Sequence, residues 1–479
     1  MTEVQKIAHN TIIQVMGKAL TIFFALIGFG LIARYLGQEG FGYFSTIYAF
    51  LAIFGILIDL GLQMTTTQLI SDPNEDENKI LSNALTIRLI ASIIFLGLAP
   101  LIILLFPYPK IIKIGVAIAT LGFVFHSLIS TLTSLFQKYL IMHKFVISDI
   151  IAKIIFVGVV VSTIYFNWGL LGIIAAMVAD GAFSFIILLY FATKLIKIRL
   201  AFEFSVWRKI LNKTWPIALT IALNLIYFKG DIFIMSLIRS QAEVGLYGAP
   251  YKILEVLINI VYLFLGLILP LLATAVAIKN FDKLKIIIQS TFNFLIILTI
   301  PMIVGGFFLG RPLMIIMAGP DFAISGEIIK ILLLATGAIY LAGLFGYVVV
   351  ACNQQKKMIK FYAINALVSI IGYIIFISKY GYWGAAWMTV FTEMFILFTA
   401  AYVMWQTIKF FPNLKFLGKS LVASFIMAIP LYFLSNFNFA ISIFIGILVY
   451  FTTLYLLGGF DKKTVLEIVK IKKDEPTNN

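Results

Sequence analysis

Ten ionisable side chains inside long apolar runs of this chain stand out among those found there: Lys18, Asp59, Arg88, Lys153, Asp180, Lys229, Asp231, Lys252, Glu255 and Glu393. A charge facing hydrocarbon costs at least about 2.5–3.5 kcal/mol on insertion scales, so each of them must meet a wet cavity, a partner side chain or a membrane interface. Five are basic, and they come from five different apolar runs. Lysine or arginine lining a wet cavity can hold an anion, and the acids can neutralise those cations, brace a neighbouring helix or take up a cation. This is binding chemistry rather than bond-making chemistry. The three histidines, at positions 9, 126 and 143, are scattered and make no metal-ligand cluster. The lone Cys352, in GYVVVACNQQ, reads as inert packing and excludes an intrachain disulfide. No metal centre and no cofactor are expected, and no G-x-x-x-x-G-K-[ST] loop is present to hold ATP.

Spacing separates the ten further. Lys252 and Glu255 are i, i+3 on one helix face and can neutralise each other. Lys18 has no acid three or four residues on. Arg88 and Lys153 can either contact a ligand or snorkel to the inner interface. Asp231 follows Lys229 by two residues, so the two do not share a face; it is a structural partner of another helix or a cation site. Asp59, at the end of its run, suits a helix-end role better than coupling. Tyr43, Tyr48, Tyr227, Tyr247 and Tyr251 can stack on sugar rings or simply pack.

The elements that must position these groups are membrane spans. Of the 479 residues 62% are hydrophobic and 12% charged, and the mean hydropathy is +1.06. A soluble domain is about half apolar and a quarter charged, so a soluble enzyme or nucleic-acid binder is excluded in favour of a polytopic all-α membrane protein. At about 20 residues per span, hydropathy predicts fourteen: 11–33, 41–70, 80–106, 112–141, 147–166, 170–193, 214–238, 244–277, 284–309, 324–352, 358–378, 382–406, 417–435 and 439–459. The first is too long, and too poor in a cleavage site, to read as a signal peptide. With the N-terminus inside, 24 Lys and Arg fall in cytoplasmic segments, six in outer segments and six within spans. That bias predicts a multi-pass cytoplasmic (inner) membrane protein with both termini cytoplasmic, and it accounts for most of the +15 net charge without nucleic acid.

The chain also resembles itself. GFGYFSTIY at 40–48 aligns with EVGLYGAPY at 243–251, pairing Gly42 with Gly245, Phe44 with Tyr247 and Tyr48 with Tyr251. Gly169 and Gly172 align with Gly381 and Gly384, and the same shift pairs Lys144 with Lys356. Pro100 and Pro301 occupy similar places in the third and ninth spans. Asp180 and Glu393 are near-equivalent under this repeat, which favours a structural role for both. The predicted organisation is a six-helix bundle over 1–200, a second over 201–410, a final transmembrane hairpin over 411–460 and a cytoplasmic tail over 461–479. Six spans per half give both halves one orientation, with a pseudo-two-fold along the membrane normal and a transport path between them. The joint at 193–215 reads as a linker with a short interfacial helix anchored by Trp207 and Trp215, or as a plain cytoplasmic loop. The end of the chain reads as a short amphipathic helix and a disordered tail.

Four segments carry a family resemblance: ARYLGQEGFGYFSTIYAF, IDLGLQMTTTQLIS, NLIYFKGDIFIMSLIRSQAEVGLYGAPYKILEVL and MAGPDFAISGEIIKILLLA. With the 6+6+2 plan they resemble the Wzx-type oligosaccharide flippases of the polysaccharide transporter family. That family belongs to the superfamily of the multidrug (MATE) antiporters and lipid II flippases, and the resemblance covers essentially the whole chain. It implies a flippase that moves a polyprenyl-diphosphate-linked glycan from the inner to the outer leaflet by alternating access. It implies membrane lipids and the polysaccharide polymerase machinery as partners, and no enzymatic activity. In the related lipid II flippases, basic residues on spans one and eight contact the head group, a placement that Lys18 and Lys252 match by span. A diphosphate brings about two negative charges whose unpaired transfer to mid-membrane would cost many kcal/mol. The expected substrate cations are Lys18, Arg88 and Lys153 in the inner half and Lys229 and Lys252 in the outer half. Asp59, Asp180, Asp231, Glu255 and Glu393 are coupling or structural acids. The alternatives are a cation-coupled multidrug exporter of the same fold, a membrane enzyme such as a glycan polymerase, for which the outer loops are short, and a membrane scaffold.

Overall fold

The computed structural model describes the backbone of residues 3–59, 61–434 and 438–459, and their side chains except those of residues 3–13, 15, 56 and 215–228. Trp215, Pro216 and Tyr227, and the tail after residue 459, lie outside the described side chains. The described residues form fourteen α-helices: α1 Glu3–Asp59, α2 Leu62–Ile70, α3 Glu77–Ala91, α4 Gly97–Ile102, α5 Lys110–Lys138, α6 His143–Tyr165, α7 Gly169–Thr193, α8 Phe204–Ile238, α9 Gln241–Ala277, α10 Phe281–Ala318, α11 Ser325–Ala351, α12 Lys356–Ile408, α13 Lys415–Leu434 and α14 Phe439–Leu456. The described residues hold no strand.

Among the described residues eleven helical stretches are long and apolar enough to cross a membrane. Two of them each hold two of the expected spans. Met16–Ile70 folds at Gly37 (φ 63°), and Lys356–Ile408 folds at Gly381 (φ 57°). Only glycine takes a positive φ without a Cβ penalty, so one residue redirects each continuous helical run. The span expected at 214–238 falls in α8. The all-helical membrane fold therefore agrees with the hydropathy pattern, and two helix boundaries are replaced by glycine kinks. α3 and α4 are joined by a π-helical turn at Ser92–Leu96. Pro100 explains it: its ring crowds the carbonyl four residues back, at Leu96, and the wider turn relieves the clash.

Contacts group the chain into two compact units. The first comprises Met1–Val256, Ile316–Phe322 and Ile359–Thr392; the second comprises Leu257–Ile315, Ala323–Met358 and Glu393–Asn479. In the first, the segments paired by the internal alignment meet reciprocally. A Cβ on Gly42 would lie 1.7 Å from the Gln241 carbonyl oxygen, and one on Gly245 would lie 1.9 Å from that of Gln38. Gln38 and Gln241 lie just before the aligned segments, at the same spacing along the chain. In the second unit, α13 and α14 form a hairpin whose Ser420 and Tyr450 hydroxyls share a 2.8 Å hydrogen bond beside Met427, Leu431 and Leu454.

The joint between the expected halves packs against α3. Residues 197–203 run along α3, and alternate amides donate to its polar face: Lys197 to Asn78, Arg199 to Ser82, Ala201 to Thr86 and Glu203 to Asn83. α8 begins directly afterwards, at Phe204, and runs without a break to Ile238, so the expected short helix is the first part of this longer one. Trp207 donates its indole N–H to Asn83 at 2.8 Å, which makes it an anchor within the protein. An extended chain needs a partner for each alternate amide, and α3 supplies one where the sequence shows only a basic amphipathic stretch.

Candidate functional site

The first unit brings together most of the intramembrane charges. α8 and α9 contribute a three-membered cluster. Lys229 donates to one oxygen of Glu255, and Lys252 lies 3.0 Å from the other. Two cations on one carboxylate leave this triad positive, although the buried Asp231 carboxylate also acts on Lys229. The side chains are 22%, 35% and 23% exposed for Lys229, Lys252 and Glu255, so the surplus is accessible. Each ammonium also faces a ring, Lys229 that of Tyr251 at 5.3 Å and Lys252 that of Tyr48 at 5.9 Å.

Tyr48 links this cluster to a second one. Half-buried on α1, its ring contacts Phe44 at 4.7 Å and Phe123 of α5 at 5.6 Å, and the charge of Asp180 acts on its phenol. Asp180 on α7 pairs with Lys153 on α6 at 2.6 Å. Lys153 therefore answers a carboxylate instead of snorkelling. The field here also includes Lys18 on α1, His126 on α5 and Asp149 on α6. Lys18 is half-buried and has no carboxylate partner among the described residues.

Two further groups are closed. The Arg88 guanidinium is fully buried; it donates to the Ser127 carbonyl (2.9 Å), the Thr131 hydroxyl (3.0 Å) and the Asp59 carboxylate. Interface snorkelling by Arg88 is thus replaced by a buried pair, because three acceptors on α1 and α5 offset its desolvation. Asp59 is half exposed and lines a pocket of about 470 Å³ with Phe95, Asn212 and Thr214. Asp231, fully buried, accepts from the Tyr247 hydroxyl and from the Ile232 amide, both at 2.7 Å; Tyr247 in turn reaches Thr389 at 3.0 Å. Tyr247 and Tyr251 are buried, so neither is open to stack on a sugar, whereas Tyr48 keeps an accessible edge. Tyr43 donates to Glu39. Glu393 is buried and belongs to the second unit.

Sequence reasoning passed over His126 and Asp149, and also Glu327 and Lys330, which pair with each other at 2.6 Å. All are ionisable groups within predicted spans, the signal that singled out the other ten; the histidine was weighed only as a metal ligand.

A family model described as polysaccharide biosynthesis protein matches residues 7–276. A Shigella flexneri protein named "Putative O-antigen transporter" is 23% identical over 415 residues, covering 79% of this chain and 93% of its own length. Among solved structures, the lipid II flippase MurJ in an inward closed conformation aligns with a TM-score of 0.71 at 20% identity, over 94% of this chain and 98% of that one. An inward-facing multidrug resistance MATE family transporter of the MOP superfamily aligns with a TM-score of 0.69 at 11% identity, over 83% and 98%. At those identities the two structures speak to the fold.

Proposed function

The chain belongs to the polysaccharide biosynthesis protein family, and from that premise we propose that it is a flippase. It carries polyprenyl-diphosphate-linked oligosaccharide from the cytoplasmic to the outer leaflet for cell-surface polysaccharide synthesis. The observation that carries this reading is the accessible positive surplus of Lys229, Lys252 and Glu255, with Lys18 as a further cation without a carboxylate partner among the described residues. A diphosphate needs such a surplus to enter a low-dielectric region, and the prenyl tail can remain in lipid while the head group passes. Tyr48, adjoining Lys252, offers a face on which the first sugar stacks. Nothing in the cycle requires a covalent step.

In this reading the halves 1–200 and 201–410 alternate their opening, the hairpin 411–460 supports the second half, and both termini are cytoplasmic. Lys18, Arg88 and Lys153 lie on the inner half of the path, and Arg88 acts there through its pairing with Asp59. Asp180 and Asp231 brace helices, and Glu255 holds the two outer lysines apart from each other. The polymerase machinery receives the glycan on the outer face.

Deleting the gene should cause intact polyprenyl-linked repeat units to build up on the cytoplasmic leaflet, read by extraction and leaflet-selective labelling. Lys252→Ala and Lys18→Ala, at normal protein levels, should each reproduce part of that build-up. A rise in sensitivity to cationic drugs without any such build-up would overturn the reading in favour of a cation-coupled multidrug exporter.

A further inference from the structure

His126 stands one turn after Gly122 on α5, where α5 and α7 cross on glycine. A Cβ on Gly181 would meet the Gly122 carbonyl oxygen at 3.2 Å. The same Cβ would meet Phe125 Cβ at 3.2 Å, so this close approach brings the turn that carries His126 against the part of α7 that carries Asp180, the residue that precedes Gly181. The charged groups acting on it are Asp180 on α7, Lys153 and Asp149 on α6, and Lys18 on α1. On α3 the nearest cation to this stretch of α5 is Arg88, which is held by Ser127, Thr131 and Asp59. His126 is exposed, and its ring makes no hydrogen bond among the described residues. Asp180 keeps one oxygen, Oδ1, without a hydrogen-bond partner among those residues.

The charge balance makes this histidine decisive. The two lysines and two aspartates sum to zero, although only Lys153 and Asp180 form an ion pair, so with a neutral imidazole the group carries no net charge. A proton on His126 makes it positive. We propose that His126 is a protonation-dependent cation of the diphosphate site, acting beside Lys18 and Lys153, so that head-group binding takes up a proton there. The proposal rests on the flippase reading and adds to it the residue that sets its pH response. A free imidazole titrates near pH 6.5, so a change in the charge around such a ring can move a proton within the physiological range. A diphosphate adds about two negative charges near the ring and favours the imidazolium; reciprocally, the imidazolium favours the diphosphate.

The test uses the full chain in lipid nanodiscs with geranylgeranyl diphosphate as probe, titrated between pH 8 and pH 6. Wild type should bind about fivefold or more tightly at the lower pH than His126→Asn does, beyond any change both share from the probe's own titration. His126→Lys, with its permanent charge, should bind tightly at both pH values. Calorimetry of the wild type in two buffers of different ionisation heat should show proton uptake on binding. If His126→Asn keeps the full pH dependence of the wild type, or if the wild type takes up no proton, the proposal is overturned. If His126→Asn does not fold, the proton uptake and His126→Lys decide it. Equal binding of neutral geranylgeraniol with the same pH profile would also overturn it, by placing the response at the tail. A wild type that binds the diphosphate at no pH sinks the flippase reading itself.

Discussion

Arg88 carries its charge with no access to water, so its stability depends on three acceptors and above all on Asp59. Removing one partner of a fully buried pair costs about 3–5 kcal/mol, and less where, as at the half-exposed Asp59, water can enter, whereas replacing both by apolar residues is often neutral. Asp59→Ala should therefore lower the midpoint of thermal unfolding in detergent sharply. Arg88→Met combined with Asp59→Leu should recover most of the loss, and a double variant as unstable as Asp59→Ala would contradict this account. The pairing was only partly legible beforehand. Lys252 and Glu255 share a helix face, so their contact follows from the 3.6-residue period. The partners of Lys229, Lys153 and Arg88 lie 26, 27 and 29 residues away on other helices. Which carboxylate each cation meets depends on how those helices are rotated, and a single hydropathy pattern does not encode that rotation.

Helices in the first unit cross where glycine permits it. Gly42 and Gly245 sit against the Gln241 and Gln38 carbonyls, so Gly42→Ala and Gly245→Ala should each force the backbones apart, at about 3 kcal/mol or more. Gly37 has a positive φ but nothing within 4 Å of a built Cβ, so Gly37→Ala should cost only the left-handed strain of about 1–2 kcal/mol. The folded yield after detergent extraction should rank Gly37→Ala well above the other two; equal yields would mean the crossing is not tight. The internal alignment pairs Gly42 with Gly245 without revealing that each faces the other's neighbourhood. The linker over 197–203 shows the same limit. Its amphipathic pattern suggests a membrane surface, but its alternate amides are satisfied by Asn78, Ser82, Asn83 and Thr86 of α3.

Across the whole molecule, basic residues concentrate in alternate connections. In a Cys352→Ser background, a membrane-impermeant maleimide applied to intact spheroplasts should label Tyr165→Cys at once. It should reach Ser71→Cys only after permeabilisation, since both positions are exposed and lie at opposite ends of predicted spans. The reverse order would invert the proposed topology. Hydropathy and composition by themselves determined that this is an all-helical membrane protein and where apolar runs begin and end, because burial of a span in lipid is a sum over its own residues. The ionisable groups inside the runs were equally plain. Their grouping was decided only by tertiary structure. Lys229, Lys252 and Glu255 form one cluster, Lys153 and Asp180 another with His126 beside it, and Arg88 is sealed against Asp59. An unpaired charge is costly in a low-dielectric interior, so packing selects a partner for nearly every one, and that selection is a property of helix contacts rather than of any single segment.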